Sequence, residues 1–243
     1  MVDQRGKDRS APVALVTGGA RRIGAALCLR LAQAGYAVIV HANGSGSEAA
    51  ELVGEIARQG GLASTLQADL SNDDDRSRMI ERARSIFGPL SLLVNNAALF
   101  QSDTLQTFED DNFIRHMVVN LLAPVCLSRD FAKQVIGVDN PSIINLIDHR
   151  VTKLTPQHFT YTLSKSGLHA ATLTMAQALA PQVRVNAIAP GPTLPNNRDG
   201  LQGLKQEAAG VLLERVVNID DLSSAALYLA NARSVTGEMI FVC

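Results

Sequence analysis

The stretch VALVTGGARRIG, Val13 to Gly24, decides how the rest of the chain is read. Val13 to Thr17 form a short apolar run without alternation, as a strand buried on both faces requires. Gly18 and Gly19 permit a tight turn. The residues that follow, RIGAALCLRLAQAG, have helical spacing and stop on Gly35. Strand, glycine turn and helix in that order put a helix N-terminus at the strand's end, where free amide groups suit a phosphate. Gly24 lets the helix come close to a bound group and to the sheet. A glycine turn alone is also an ordinary strand-to-helix connection, so the downstream order has to decide.

Downstream, the alternation continues. AVIVH (Ala37 to His41) reads as a second strand and Ser47 to Gln59 as a helix. LASTLQAD reads as a third strand. SNDDDRSRMIERARSIFG reads as a helix capped by Ser71, with Asp73 to Asp75 suited to its dipole. LSLLVNNAA is a fourth strand, followed by one long helical region from Phe108 to Val135. SIINLI, a helix from His158 to Ala180, VRVNAIAP, a helix from Asp220 to Ala230 and EMIFV complete the series. Gly191 to Gly210 shows no clear periodicity. Such alternation predicts one α/β domain, 11–243, with a doubly wound parallel sheet. Residues 1–10 are polar, lack an apolar signal core and are expected to form a disordered tail.

Composition narrows the function. Of 243 residues, 47% are hydrophobic and 19% charged, which suits a chain with a large core. A net charge of −1 without a basic block gives nucleic acid no electrostatic footing. No apolar run approaches the roughly 20 residues of a membrane span. Cys28, Cys126 and Cys243 are scattered, and the five histidines lack metal spacing. Neither a disulfide framework nor a metal site is expected, and a reducing cytoplasm is the expected location.

In doubly wound sheets ligands sit beyond the carboxyl ends of the strands. The first such end is the glycine turn, with Gly18, Arg21, Arg22, Ile23 and Gly24. The second is His41, Ala42, Asn43, Gly44 and Ser45. It lacks the acid that would hold the ribose hydroxyls of NAD(H), while Arg21 is available to a 2′-phosphate, so NADP(H) is expected. Asp69, followed by Leu70, ends the third strand, where its carboxylate suits an adenine amino group or a helix cap. Asn95, Asn96 and Ala97 end the fourth, where the asparagines suit holding backbone beside a ribose. Tyr161 and Lys165, four apart, share one helix face. A neighbouring ammonium favours ionisation of the phenol, whose ordinary pKa is about 10, and makes it a readier proton donor.

With TGGARRIG, Asp69, NNA, Tyr161-x-x-x-Lys165 and Pro190-Gly191 in this order, the chain resembles the short-chain dehydrogenase/reductase family over nearly its whole length. The resemblance implies a Rossmann-type sheet of about seven strands, a nicotinamide cofactor, a homo-oligomer (tetramer or dimer), and a mobile lid around Pro192, Pro195, Asn196 and Asn197. It also implies that Asn120 holds a water in a proton relay.

Most members of that family carry Ser where this chain has Asp148. Carbonyl reduction builds negative charge on oxygen. A carboxylate at about 4 Å would oppose it by roughly 4 kcal/mol at an effective dielectric of 20, or about three decades in rate. A C=N bond reverses the sign, because a protonated nitrogen is stabilised by the same carboxylate. Burial could raise the Asp148 pKa towards a proton store. The pteridine reductase branch resembles the chain at this position. It is also matched by Arg22 in the glycine turn, by Phe100 after NNA, which in that branch sandwiches the pterin, and by the histidine segment with Ser45. Gly44 departs from it, falling where that branch has a phosphate-binding Arg. The resemblance therefore implies NADPH-dependent reduction of a pterin or folate. A carbonyl or 3-oxoacyl-carrier-protein-type reductase and a non-catalytic NADP(H) sensor are the alternatives. His149 and Arg150 have no role in this reading.

Overall fold

The computed structural model describes residues 11–195 and 200–243. The expected tail, 1–10, and Asn196 and Asn197 lie outside the described residues. The strand that VALV forms, β1 (Val13–Val16), sits in the middle of a sheet with β2 (Ala37–Ala42), β3 (Leu62–Gln67), β4 (Leu90–Asn95), β5 (Ser142–Leu146), β6 (Arg184–Pro190) and β7 (Met239–Val242). Their order is β3-β2-β1-β4-β5-β6-β7, and every neighbouring pair is parallel. The order turns back between β1 and β4, which is where a doubly wound sheet opens a crevice at its carboxyl edge.

The helices are α1 (Arg22–Gln33), α2 (Gly46–Arg58), α3 (Asp73–Phe87), α4 (Asp110–Met117), α5 (Ala123–Lys133), α6 (Phe159–Leu179), α7 (Gly200–Ala208) and α8 (Ile219–Asn231). Successive residues of β1 serve opposite faces. Ala14 and Val16 pack with Leu27 of α1, Leu52 of α2 and Leu222 of α8, whereas Val13 and Leu15 pack with Met79 of α3, Leu127 and Phe131 of α5 and Ala176 of α6. All four β1 residues are buried, which explains why the run is apolar throughout rather than alternating.

Four expectations need correction. Asn72, not Ser71, caps α3: its side chain accepts from the Asp75 amide. Ser71 instead donates through both its amide and its hydroxyl to Asp69. LASTLQAD ends as a strand at Gln67, and Ala68 and Asp69 form the connection to α3. The long helical region is interrupted by a π-helical turn, Val118–Leu122, between α4 and α5. Within the aperiodic segment, Gly200–Ala208 is helical, with Leu204 and Ala208 buried.

Candidate active site

At the carboxyl edge a cavity of about 590 Å³ runs from the end of β2 past the glycine turn to α6 and α7. It brings together Gly18, Arg21, Arg22, Ile23, Gly24, His41, Asn43, Ser45, Asp69, Leu70, Asn96, Ala97, Phe100, Asp148, Tyr161, Lys165, Pro190 and Gly191. Asn95 and Asn120 do not line it. Asn95 is turned into the core, where its amide donates to the side chains of Asn145 and Ser128 rather than holding backbone. Asn120 lies behind the wall. Its amide donates to Leu99 O and Ser164 Oγ and accepts from the Leu99 amide, so the side chain fixes the segment after β4. It lies in the π-helical turn, a distortion that recurs at functional sites.

The glycine turn is held by neutral polar groups. Gly18 has φ +60° and donates its amide to His41 Nδ1 at 3.0 Å. The other ring nitrogen of His41 meets Ala68 O at 3.0 Å, so the proton resides on Nε2 and the ring is neutral. Burial lowers the pKa of this imidazole, in accord with that tautomer. Asn96 Nδ2 donates to Thr17 O and Gly18 O, as expected of a residue holding backbone. A Cβ on Gly24 would collide with Gly18 O and lie 2.8 Å from Asn96 Nδ2. α1 begins without a side-chain cap and without an acid in its first turn. Uncapped amides beside a cavity fit a diphosphate. At the end of β2, a Cβ on Gly44 would meet nothing within 4 Å, which leaves room for a further phosphate. Arg21, exposed, is 3.4 Å from Glu48, a contact too long and too solvated to withhold it from an anion. The residues present therefore fit a phosphorylated dinucleotide. Asp69 Oδ1 accepts both Ser71 bonds, a local turn ahead of the Asn72 cap, so Asp69 does not itself cap α3, and it lines the cavity.

At the far end the groups carry charge. Tyr161 is 6% exposed and donates its hydroxyl to Asp148 Oδ2 at 3.0 Å. Burial, then the Asp148 charge, push the phenol well above its ordinary range, the reverse of the expected acidification. Lys165, 2% exposed, donates to Leu146 O at 2.7 Å, and burial lowers it to about 8. Asp148 is not an isolated charge. Arg150 Nη1 lies 3.2 Å from its Oδ2 and His149 Nδ1 lies 3.3 Å from its Oδ1. Burial by itself would raise the Asp148 pKa, but His149 and Arg150 outweigh it and the net direction is down. The expected proton store is thus a carboxylate at neutral pH.

Phe100 is 40% exposed, stacks on His158 with centroids 4.5 Å apart and meets Tyr161 edge-on at 4.7 Å. Arg22 adopts φ 55° and donates to Pro195 O at 2.9 Å, which ties the glycine turn to the segment before α7. Pro190 O meets His149 Nδ1 at 3.1 Å, and the Gly191 amide donates to Val242 O. Sequence reasoning missed Thr17, whose hydroxyl accepts from the Asn96 and Ala97 amides. It also missed His158, Arg150 and Glu207, the last 2.9 Å from Arg150 Nη2. Only Arg150 left a signal, an unexplained cation two residues from Asp148.

Against known proteins, residues 12–203 match the family model for short chain dehydrogenase. An uncharacterized oxidoreductase of Methylorubrum extorquens is 34% identical over 94% of each chain. A 3-oxoacyl-[acyl-carrier-protein] reductase FabG of Staphylococcus epidermidis is 31% identical, covering 94% of this chain and 96% of that one. Among solved structures, FolM alternative dihydrofolate reductase 1 of Brucella canis, complexed with NADP, superposes with a TM-score of 0.92 at 42% identity. That match covers 96% of this chain and 92% of the Brucella chain. The glycine turn, the tyrosine-lysine helix and the sheet order therefore have one common source: the chain belongs to the short-chain dehydrogenase family.

Proposed function

We propose that this oxidoreductase reduces a C=N bond of a pterin or folate with NADPH. The observation that carries the reading is the Asp148 carboxylate, 3.0 Å from the Tyr161 hydroxyl in a cavity that Phe100 also lines. The likeness to the Brucella dihydrofolate reductases, 42% and 43% identical, supports it. NADP(H) is the cofactor, and when bound it supplies hydride. Gly18, Ile23 and Gly24 take its diphosphate, while Arg21, Asn43 and Ser45 take the phosphorylated ribose. Asp69, Leu70, Asn96, Ala97, Pro190 and Gly191 line the remainder of its path.

The chain's own residues then handle the proton. Tyr161 keeps its proton at neutral pH because burial and Asp148 both disfavour phenolate. Its hydroxyl is the donor to the nitrogen of the reduced bond. That O–H turns from Asp148 to the substrate nitrogen, the carboxylate favours positive charge on that nitrogen, and solvent restores the proton after turnover. Lys165, in its ammonium form, offsets the negative charge left on the tyrosine oxygen. Phe100 and Arg22 flank the substrate ring. Asn120 holds the Leu99 segment against α6 and so keeps Phe100 near Tyr161.

A second reading has an observation of its own. Arg150, 3.2 Å from Asp148, offsets part of the carboxylate charge and so reduces the penalty against an oxyanion. A 3-oxoacyl-carrier-protein-type reductase, as in the Staphylococcus relative, stays compatible with the site. NADPH oxidation over dihydrofolate, dihydrobiopterin and a 3-oxoacyl thioester separates the two. The first reading expects kcat/KM for a pterin or folate to exceed that for the thioester by at least tenfold; the opposite ranking rejects it.

We also infer a homo-oligomer in the cytoplasm. An apolar groove between α4 and α5, with Ile114 and Leu122 exposed, supports association of copies. A monomeric mass in light scattering would remove that inference.

A further inference from the structure

Arg150 faces two carboxylates that come from distant parts of the chain. Its Nη1 lies 3.2 Å from Asp148 Oδ2 and its Nη2 lies 2.9 Å from Glu207 Oε1. Its own amide donates to Asp148 Oδ1 at 2.9 Å. The guanidinium carbon lies 5.7 Å from the centroid of the Phe100 ring. The side chain is 16% exposed, and Asp148 is similarly covered at 14%. A planar fork with two separated donor faces can span two carboxylates, which a lysine cannot do in fixed geometry.

We propose that Arg150 is a positioning residue of the proton-transfer pair: clamped between Asp148 and Glu207, it fixes where the Asp148 carboxylate points and ties α7 to the site. The inference rests on the assignment of Tyr161 and Asp148 as that pair. Among the described residues, the charged and titratable groups that face Asp148 are few. His149 and Arg150 come from its own segment, Tyr161 and Lys165 from α6, and Glu207 from α7 through the guanidinium. Of these, Arg150 is the one that touches both Asp148 and α7. Without it, Asp148 keeps its burial, its tyrosine and its contact with His149 but loses the guanidinium charge. Its carboxyl then binds a proton more readily, and α7 loses its ion pair to the site.

Two readouts that need no substrate test this. The first is the titration of Asp148, followed through the infrared carboxylic-acid band that disappears in Asp148→Asn. The second is amide hydrogen exchange over 200–208. Arg150→Met is expected to raise Asp148 proton affinity about tenfold. It should also speed exchange in α7 roughly three- to fivefold. Arg150→Lys should restore the titration, because it keeps the charge, but not the protection of α7, because it lacks the fork. Glu207→Gln should speed α7 exchange as Arg150→Met does, and the double variant should be no faster than either alone. An unchanged Asp148 midpoint in Arg150→Met, or unchanged α7 exchange in Glu207→Gln, overturns the proposal. If Arg150→Met does not fold, Glu207→Gln and Arg150→Lys still decide it. Inert pterins and folates would reject the substrate reading and leave both readouts standing.

Discussion

Around the glycine turn, neutral side chains hold backbone. His41 accepts the Gly18 amide, Asn96 donates to two carbonyls, and the Thr17 hydroxyl receives two amides. Around Asp148, charged side chains hold one another: Asp148, Arg150 and Glu207 form a chain of ion pairs, with the Tyr161 hydroxyl at one end and His149 against the Asp148 carboxylate. On the proposed function, the contrast follows from what each end has to do. A phosphate brings its own charge, so the protein needs amides in fixed positions there. A reacting double bond develops charge only during the reaction, so the protein has to supply a compensating group and keep it poised. Damage at the first end should therefore appear as lost folding and lost cofactor affinity. At the second end it should appear as lost rate in a folded protein.

The largest expected effect is at the charged end. Tyr161→Phe removes the donor and the bond to Asp148 together, and kcat should fall about 1,000-fold, within the range for a general acid, with the far-UV spectrum unchanged. A loss under tenfold would take Tyr161 out of the proton path. The neutral end should respond differently. Gly24→Ala drives a Cβ into Gly18 O and close to Asn96 Nδ2, neither of which can yield cheaply. Unfolding stability should drop by about 3 kcal/mol, measured by denaturant midpoint. A variant that keeps its midpoint would show that the turn is looser than these contacts imply.

How much of this was legible in the sequence follows the same division. The glycine turn, the strand order and the tyrosine-lysine helix are set by local spacing and stand where the spacing puts them, apart from the end of the third strand. Of the paired asparagines only Asn96 holds backbone as expected; Asn95, one residue earlier on the strand, faces the core and bonds to Asn145 and Ser128 side chains. The far end was not legible. Arg150 meets Glu207 across 57 positions, and α7 packs Leu204 and Ala208 after a segment rich in Pro and Asn. The sequence leaves the Asp148 carboxylate a lone charge, because adjacency does not fix where the His149 and Arg150 side chains point. His41 lines the cavity as expected, and the fold adds that its ring accepts the Gly18 amide.

Smaller effects sharpen the contrast. Burial lowers Lys165 to about 8, so its ammonium is lost as pH rises through that value in the free enzyme. The kcat/KM profile should fall by about tenfold per pH unit above there. A flat profile up to pH 10 would mean the ammonium is not required. At the phosphate end, Arg21→Ser should raise KM for NADPH roughly fivefold and leave NADH unchanged, since a single exposed charge on a phosphate is worth little more. Equal loss with both cofactors would remove Arg21 from 2′-phosphate recognition.

The claim on which the substrate reading turns is the sign of the charge that Asp148 presents to the reacting bond. The direct test is kcat/KM for dihydrofolate, dihydrobiopterin and a 3-oxoacyl thioester, measured with the native protein and with Asp148→Ser. Replacing the carboxylate by a hydroxyl should cost the pterin and folate about 100-fold and should raise turnover of the thioester. Pterin and folate turnover that is unaffected by the substitution, with no gain for the thioester, would contradict the account.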